Sequence, residues 1–279
     1  MPEGEALPHP VTGQPFRSPV PPGTGWPEDP ARQETPSART AAGVRRLATT
    51  DDLRVLDARV SVCAACPRLV QWREDVARGK RASFADQPYW GRPIAGWGPT
   101  APRILVVGLA PAAQGGNRTG RVFTGDSSGD WLFASLHRVG LATQPTSVHA
   151  GDGQQLVDTR IVATVRCAPP QNQPSVVERD TCAPWISQEL RLVLPTLQVV
   201  VALGGYGWAG ALRGLVAAGV DVPRPRPRFG HGAEVDLGGV TLIGCYHPSQ
   251  HNTFTGRLTP QMLDAVLGRA RALGAGPAQ

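Results

Sequence analysis

The chain has 279 residues, 28 of them basic and 22 acidic, for a net charge of +6, with 33 glycines and 28 prolines. That length allows one large domain or two small ones. The composition excludes a coiled coil, no repeat period points to a solenoid, and no apolar run is long enough for a membrane span.

The first fifty residues contain ten prolines and five glycines, so 1–50 is expected to be a disordered Pro-rich tail and 51–279 a single folded domain. Five arginines offset five acids in the tail, which leaves the whole positive charge on 51–279. A basic domain attracts polyanions, of which nucleic acid is the commonest. Against that, every basic residue except Lys80 is Arg, beside abundant Ala, Gly and Pro, and compositional bias alone produces such a pattern. Met1–Glu5 has neither the basic start nor the apolar core of a secretory leader, so the cytoplasm is the expected compartment.

Residues 50–78 read as helix around a sharp interruption at Cys63-Ala-Ala-Cys66-Pro67. Residues 84–100, rich in Trp, Pro and Gly, read as an ordered irregular connection in which Trp90 and Trp97 pack into the core. Four apolar runs follow, at 103–108, 160–165, 197–203 and 240–245, with helices predicted at 130–139, 181–194, 208–218 and 260–273. The runs are apolar almost throughout, as strands buried on both faces of a parallel sheet are. Strands alternating with helices predict an α/β fold, a three-layer α/β/α sandwich with a central four-stranded parallel sheet. Ligands in such folds sit beyond the carboxyl ends of the strands.

Five cysteines are present. Cys245 ends an apolar run and reads as a buried small hydrophobe. Cys63 and Cys66 form a two-ligand claw, Cys167 follows the second strand, and Cys182 opens the next predicted helix. Inside a cell this set suggests metal rather than disulfides. Four thiolates suit an iron–sulfur cluster or, as runner-up, zinc, and the spacing of Cys167 and Cys182 is wide for a zinc ribbon.

The first strand runs into a long glycine-rich passage from Gly108 to Ser128, a sign of backbone that approaches a ligand closely. It matches neither a Walker loop nor a dinucleotide fingerprint. Within it, Phe123 reads as a core anchor, and Asp126, with Ser127 or Ser128, as a helix N-cap. The fourth strand ends in Cys245-Tyr-His-Pro-Ser-Gln-His-Asn-Thr-Phe-Thr-Gly-Arg257. His247 and His251 are four apart, yet Pro248 argues against the helix that a zinc pair needs. His247 at a strand terminus reads better as an electrostatic or acid–base group. Ser249, Asn252 and Thr253 offer short donors suited to a phosphate backbone. Residues 223–228, Pro-Arg-Pro-Arg-Pro-Arg, read as a stiff loop.

Three motifs in order resemble the uracil-DNA glycosylase superfamily, and within it family 5. They are Gly108-Leu-Ala-Pro-Ala with Gly120-Arg-Val-Phe-Thr-Gly-Asp126, then Val165-Arg-Cys-Ala-Pro-Pro-Gln-Asn172, then His247-Pro-Ser-Gln-His-Asn-Thr-Phe-Thr-Gly256. The resemblance covers roughly residues 51–270. It implies a monofunctional enzyme that hydrolyses the N-glycosidic bond of uracil in DNA, and of other deaminated bases such as hypoxanthine. Such enzymes flip the nucleotide out of the stack first. It further implies that Phe123 stacks on the base, that Asn172 reads the uracil edge, and that Gly108 and Ala110 line the pocket. His247 would face the base's O2, and Asp126 would orient water or stabilise the sugar cation. Leu109 and Ala110 stand where other branches of the superfamily carry a polar residue, which turns attention to Asp126. Cys63, Cys66, Cys167 and Cys182 fall where families 4 and 5 hold a 4Fe-4S cluster. Arg118, Arg121 and Arg257 are either phosphate contacts or simply solvated arginines.

The absence of a lysine from the motifs argues against a lyase step. The resemblance leads to a monomer acting on nucleoid DNA without a membrane partner. Two rivals belong to other classes: a catalytically silent iron–sulfur DNA-binding module, and a cysteine-metal redox protein.

Overall fold

The computed structural model describes residues 5–275. A two-residue hairpin, β1 (Leu7–Pro8) and β2 (Pro15–Phe16), opens the chain, followed by helices α1 (Ala41–Ala48), α2 (Leu53–Ser61) and α3 (Pro67–Gly79). Then come β3 (Ile104–Gly108), the short turn α4 (Gly116–Thr119), α5 (Ser127–Arg138), β4 (Thr159–Ala163) and α6 (Val176–Val193). The last third holds β5 (Val199–Leu203), α7 (Gly204–Ala217), β6 (Glu234–Asp236), β7 (Thr241–Cys245), α8 (Gln250–Phe254) and α9 (Pro260–Gly274).

The predicted runs are β3, β4, β5 and β7, and they pair in parallel. Side chains alternate across a strand, so each run serves two cores. Leu105, Val107, Val162, Val200 and Leu242 face a core built with α1, α2, α6 and α7. Ile104, Val106, Ile161, Val199 and Ile243 face the other, built with α5 and α9. The three-layer sandwich therefore holds, with one correction to the sheet. It has five strands in the order β4-β3-β5-β7-β6, because β6 adds an antiparallel edge. Its three residues are exposed, half-buried and exposed, too short and too polar to register as an apolar run.

The helix at 181–194 starts earlier than predicted, at Val176. Ser175 and Glu178 form a capping box there, each bonding the other's backbone N–H, and Pro184 lies inside the helix.

The disordered tail is also a correction. Phe16, Val20 and Trp26 are buried, at 4%, 1% and 3% exposure, and α1 packs into the core of the first helical layer. Val20 N–H donates to Trp90 O at 3.0 Å, and Tyr89 N–H to Ser18 Oγ at 2.7 Å. Two of the five acids in this segment pair with arginines of the body. Arg92 donates twice to Asp29, at 2.8 and 2.9 Å, and Arg121 bonds Glu28. Fixed proline torsions lower the entropy lost on ordering such a segment. Three apolar anchors and two ion pairs then suffice to hold it. It works as a strap over residues 84–122.

A buried ion network ties β4 to the helices. Arg160 pairs with Glu189 and Asp57, both at 2.6 Å, and Arg166 with Glu189 at 2.5 Å. Burial pushes the Asp57 carboxyl up against the pull of Arg160. Burial acts the same way on Glu189, but Arg166 and Arg160 together hold it below the usual carboxylate range.

Trp26→Ala is expected to cost about 3–5 kcal/mol by leaving a cavity under the strap. At about 2–4 °C per kcal/mol for a domain of this size, the calorimetric midpoint should fall by roughly 10 °C. An unchanged midpoint would return the segment to a loose tail.

Candidate active site

The sheet order reverses direction between β3 and β5, so a crevice is expected beyond their carboxyl ends. The residues singled out by sequence gather there. Gly108 ends β3, and the ring of Phe123 lies directly on it: a Cβ at Gly108 would sit 2.6 Å from the ring. Only glycine permits that approach. Phe123 itself has φ +50°, a left-handed backbone that costs a non-glycine residue energy and recurs at functional sites. Its ring centroid is 5.7 Å from that of His247, tilted by 37°.

His247 follows β7 by two residues. The turn that holds it is built from the residues expected to touch DNA. Asn252 Nδ2 donates to His247 O at 2.8 Å, Ser249 Oγ caps α8, and Thr253 Oγ1 donates back to Ser249 O at 3.2 Å. The His247 ring makes no hydrogen bond among the described residues. Burial lowers its pKa to about 4, so at neutral pH it is an uncharged imidazole with one N–H to offer.

Asp126 resolves its two readings by satisfying one without closing the other. It caps α5, its Oδ1 accepting the Gly129 N–H at 3.0 Å, while Oδ2 lies against the backbone of Gly115. Burial pushes this carboxyl up, opposed by the N–H groups of Gly129 and Ser128. Asn172 stands on the turn after β4 with φ +56°, beside Gln171 at φ +54°. Its side chain is exposed and makes no hydrogen bond among the described residues. Ala110 is half-buried, and the preceding Leu109 O accepts Val165 N–H at 2.8 Å, which joins the first motif to the second.

Two expected DNA contacts fail. Arg118 and Arg121 are 5% and 1% exposed. Arg118 donates to Gln114 O, Gln87 Oε1 and Gly125 O, at 2.8–2.9 Å. Arg121 pairs with Asp152 at 2.7 Å and with Glu28 of the strap, and donates to Ser147 Oγ at 3.0 Å. Both brace the Phe123 loop from inside. Arg257 does face solvent, over the ring of Tyr246 at 4.6 Å. Sequence reasoning passed over Phe254, which at 80% is the most exposed large hydrophobic side chain among the described residues. Its signal was a lone aromatic inside the polar run from Ser249 to Thr255.

Cys63, Cys66, Cys167 and Cys182 line one apolar cavity together with Leu69 and Trp185. Arg73 Nη1 donates to Cys167 Sγ at 3.0 Å, and Arg166 N–H to Cys182 Sγ at 3.4 Å. Burial and the neighbouring sulfurs push Cys66 up to about 12 and raise Cys63 and Cys182 as well. Around the cavity, Arg73 Nε and Arg166 Nε and Nη1 are buried donors without an acceptor. Among the described residues no three His, Cys, Asp or Glu side chains converge closely enough for a single metal ion. Cys245 is buried in the other core, as expected.

A family model described as the uracil DNA glycosylase superfamily matches residues 95–271. The chain belongs to that superfamily. It is 58% identical over 267 residues to a type-5 uracil-DNA glycosylase of Mycobacterium tuberculosis, covering 95% of this chain and 98% of the relative. It is also 47% identical over 215 residues to one of Thermus thermophilus and 44% over 214 to one of Pyrobaculum aerophilum. The mycobacterial match takes in most of the N-terminal strap, while these two cover 77% of the chain.

Gly108→Ala is expected to unseat Phe123 at a cost of about 1–3 kcal/mol, the usual penalty for overpacking. A thermal melt reads this as a lowered midpoint. An unchanged midpoint would mean the ring does not bear on β3.

Proposed function

We infer that this chain excises uracil from DNA by hydrolysing its N-glycosidic bond. The observation that carries this reading is the aromatic face of Phe123, held against Gly108 and tilted toward an uncharged, unbonded His247 at the switch point of the sheet. A base leaving its sugar accumulates negative charge, which a fixed neutral N–H stabilises without a desolvation cost at the moment of reaction. Such donors contribute about 2.7–4 kcal/mol each. Phe123 supplies the stacking surface for the flipped base. Asn172, with both a donor and an acceptor, reads its edge once bound. Asp126, in its ionised form, orients the attacking water or stabilises the sugar cation. Phe254 fits the part of an apolar wedge that fills the stack behind the departing base.

The side chains at Leu109 and Ala110 are apolar and leave room beside the base, which suits hypoxanthine as well as uracil. The lone lysine, Lys80, ends α3 and is not part of any of the three motifs, so hydrolysis proceeds without an imine. Among the described residues no helix is long and apolar enough to cross a membrane, and the cytoplasmic nucleoid is where such a substrate lies.

The cysteine cavity fits a 4Fe-4S cluster better than zinc. Two buried and two half-buried thiols spread around a shared space, beside buried donors that lack an acceptor, suit an anionic polynuclear group whose sulfides accept hydrogen bonds. Cys63, Cys66, Cys167 and Cys182 would hold it. When bound, it cross-links α3, the turn after β4 and α6 and adds a redox-active iron group.

Excision from a duplex with a single uracil, read by alkaline strand cleavage, tests the assignment. Wild type should cleave, and His247→Ala and Asp126→Asn should each lose about two orders of magnitude or more at saturating enzyme. Activity should fall as pH drops through the raised pKa of Asp126. It should show no step near 6.5, since His247 is already neutral there. Absence of cleavage by wild type would leave only a DNA-binding module.

Iron analysis checks the cluster. Anaerobically prepared protein should contain iron and sulfide, and Cys167→Ser should lose both and melt lower. Stoichiometric zinc in their place would reverse the choice of metal.

A further inference from the structure

The glycosylase reading leaves one feature of the catalytic face without a use: the Pro-Arg-Pro-Arg-Pro-Arg loop at 223–228. Arg224, Arg226 and Arg228 are all exposed, and none forms an ion pair or hydrogen bond among the described residues. Elsewhere several surface arginines are neutralised: Arg68 by Glu178, Arg138 by Asp264, Arg213 by Asp180 and Arg269 by Glu234.

The loop is not a stray excursion. Trp208, in the second turn of α7, donates Nε1–H to Pro227 O at 2.9 Å. Phe229 packs edge-on to Trp208 at 6.0 Å and against Tyr246 at 6.2 Å. Tyr246 immediately precedes His247, its N–H donates to His231 Nδ1 at 3.1 Å, and Arg257 lies over its ring at 4.6 Å. Since α7 begins where β5 ends, these contacts place the loop at the same pole of the sheet as the reacting groups. One aromatic row, Trp208–Phe229–Tyr246, joins it to His247. Proline fixes φ and removes backbone donors, so three charges are presented with little chain freedom left to lose on binding.

We propose that Arg224, Arg226 and Arg228 form a phosphate rail. The sugar–phosphate backbone of the uracil strand crosses it on the Tyr246 side of the extruded nucleotide, with Arg257 between rail and pocket. The ligand is the phosphodiester chain, recognised by charge and without regard to sequence. The rail supplies affinity and register but touches no reacting atom. Removing it therefore raises KM and leaves the chemical step alone. The inference rests on DNA being the substrate.

The test compares two triple variants of the full chain with equal reduction of charge. One is R224S/R226S/R228S. The other is R45S/R46S/R54S, which strips exposed arginines around the Thr50 turn. Gln188, in the C-terminal half of α6, bonds Thr50 O at 2.7 Å, which sets that turn at the opposite end of the sheet. Affinity for uracil-free duplex is measured across a salt series, and excision is measured at saturating enzyme.

Each phosphate deprived of its arginine should flatten the slope of log affinity against log salt by about 0.9. The rail variant should flatten it by about two to three and raise KM tenfold or more, with the saturating rate within about twofold of wild type. The control variant should flatten it by less than one. Lysines at the three rail positions should restore the slope, because a point charge suffices. Equal effects from both triples, or an unaltered slope in the rail variant, would overturn the proposal. Wild-type excision in the same assay keeps the two questions apart, since its absence counts against the glycosylase reading instead.

Discussion

The whole catalytic pole depends on one van der Waals contact, the ring of Phe123 on the backbone of Gly108. A ring can lie there only if β3 ends in a residue without a Cβ and if the loop returns with Phe123 in a left-handed conformation. Neither condition is stable alone. The loop is held by Arg118 and Arg121, whose guanidinium groups are spent on carbonyls and carboxylates inside the protein. Arg121 in turn needs Glu28, and Glu28 needs Trp26 and Phe16 to keep the strap seated. The Phe123 loop is thus supported by a segment some ninety residues earlier.

The other helical layer is held differently. Buried charge, not apolar area alone, joins β4 to α2 and α6 through Arg160, Glu189, Arg166 and Asp57. Arg166 also borders the cysteine cavity, so ion network and cluster site share a residue. Removing one member of such a network strands a buried charge, which is costly. The turn after β4 that follows this network carries Gln171 and Asn172, both with positive φ. The outward side is built from the opposite materials. Phe254, Arg257 and the arginines at 224–228 are exposed, positive or apolar, and ready for a large anionic partner.

Much of this was legible in the sequence because the signals were local. Four apolar runs gave the parallel strands, and the histidine just past the last of them does lie beside Phe123 at the carboxyl end of the sheet. Four cysteines at metal-like spacing do line one cavity. What failed was everything that depended on distant partners. Proline and glycine content describes an average, and it hid Phe16, Val20 and Trp26, whose burial depends on the Trp90 region. Arg118 and Arg121 look like surface charge until their partners are seen, one of them 93 residues away. The edge strand β6 was too short to carry a pattern at all.

The claim that Phe123 is the platform for the flipped base is tested most directly by Phe123→Leu, which keeps an apolar side chain and removes the π face. Base–aromatic stacking contributes about 1–3 kcal/mol. Excision at saturating enzyme should therefore fall roughly tenfold to a hundredfold, while affinity for uracil-free duplex stays as in wild type. Full excision by the leucine variant would contradict the account, since Phe123 would then be a core residue and the base would stack elsewhere.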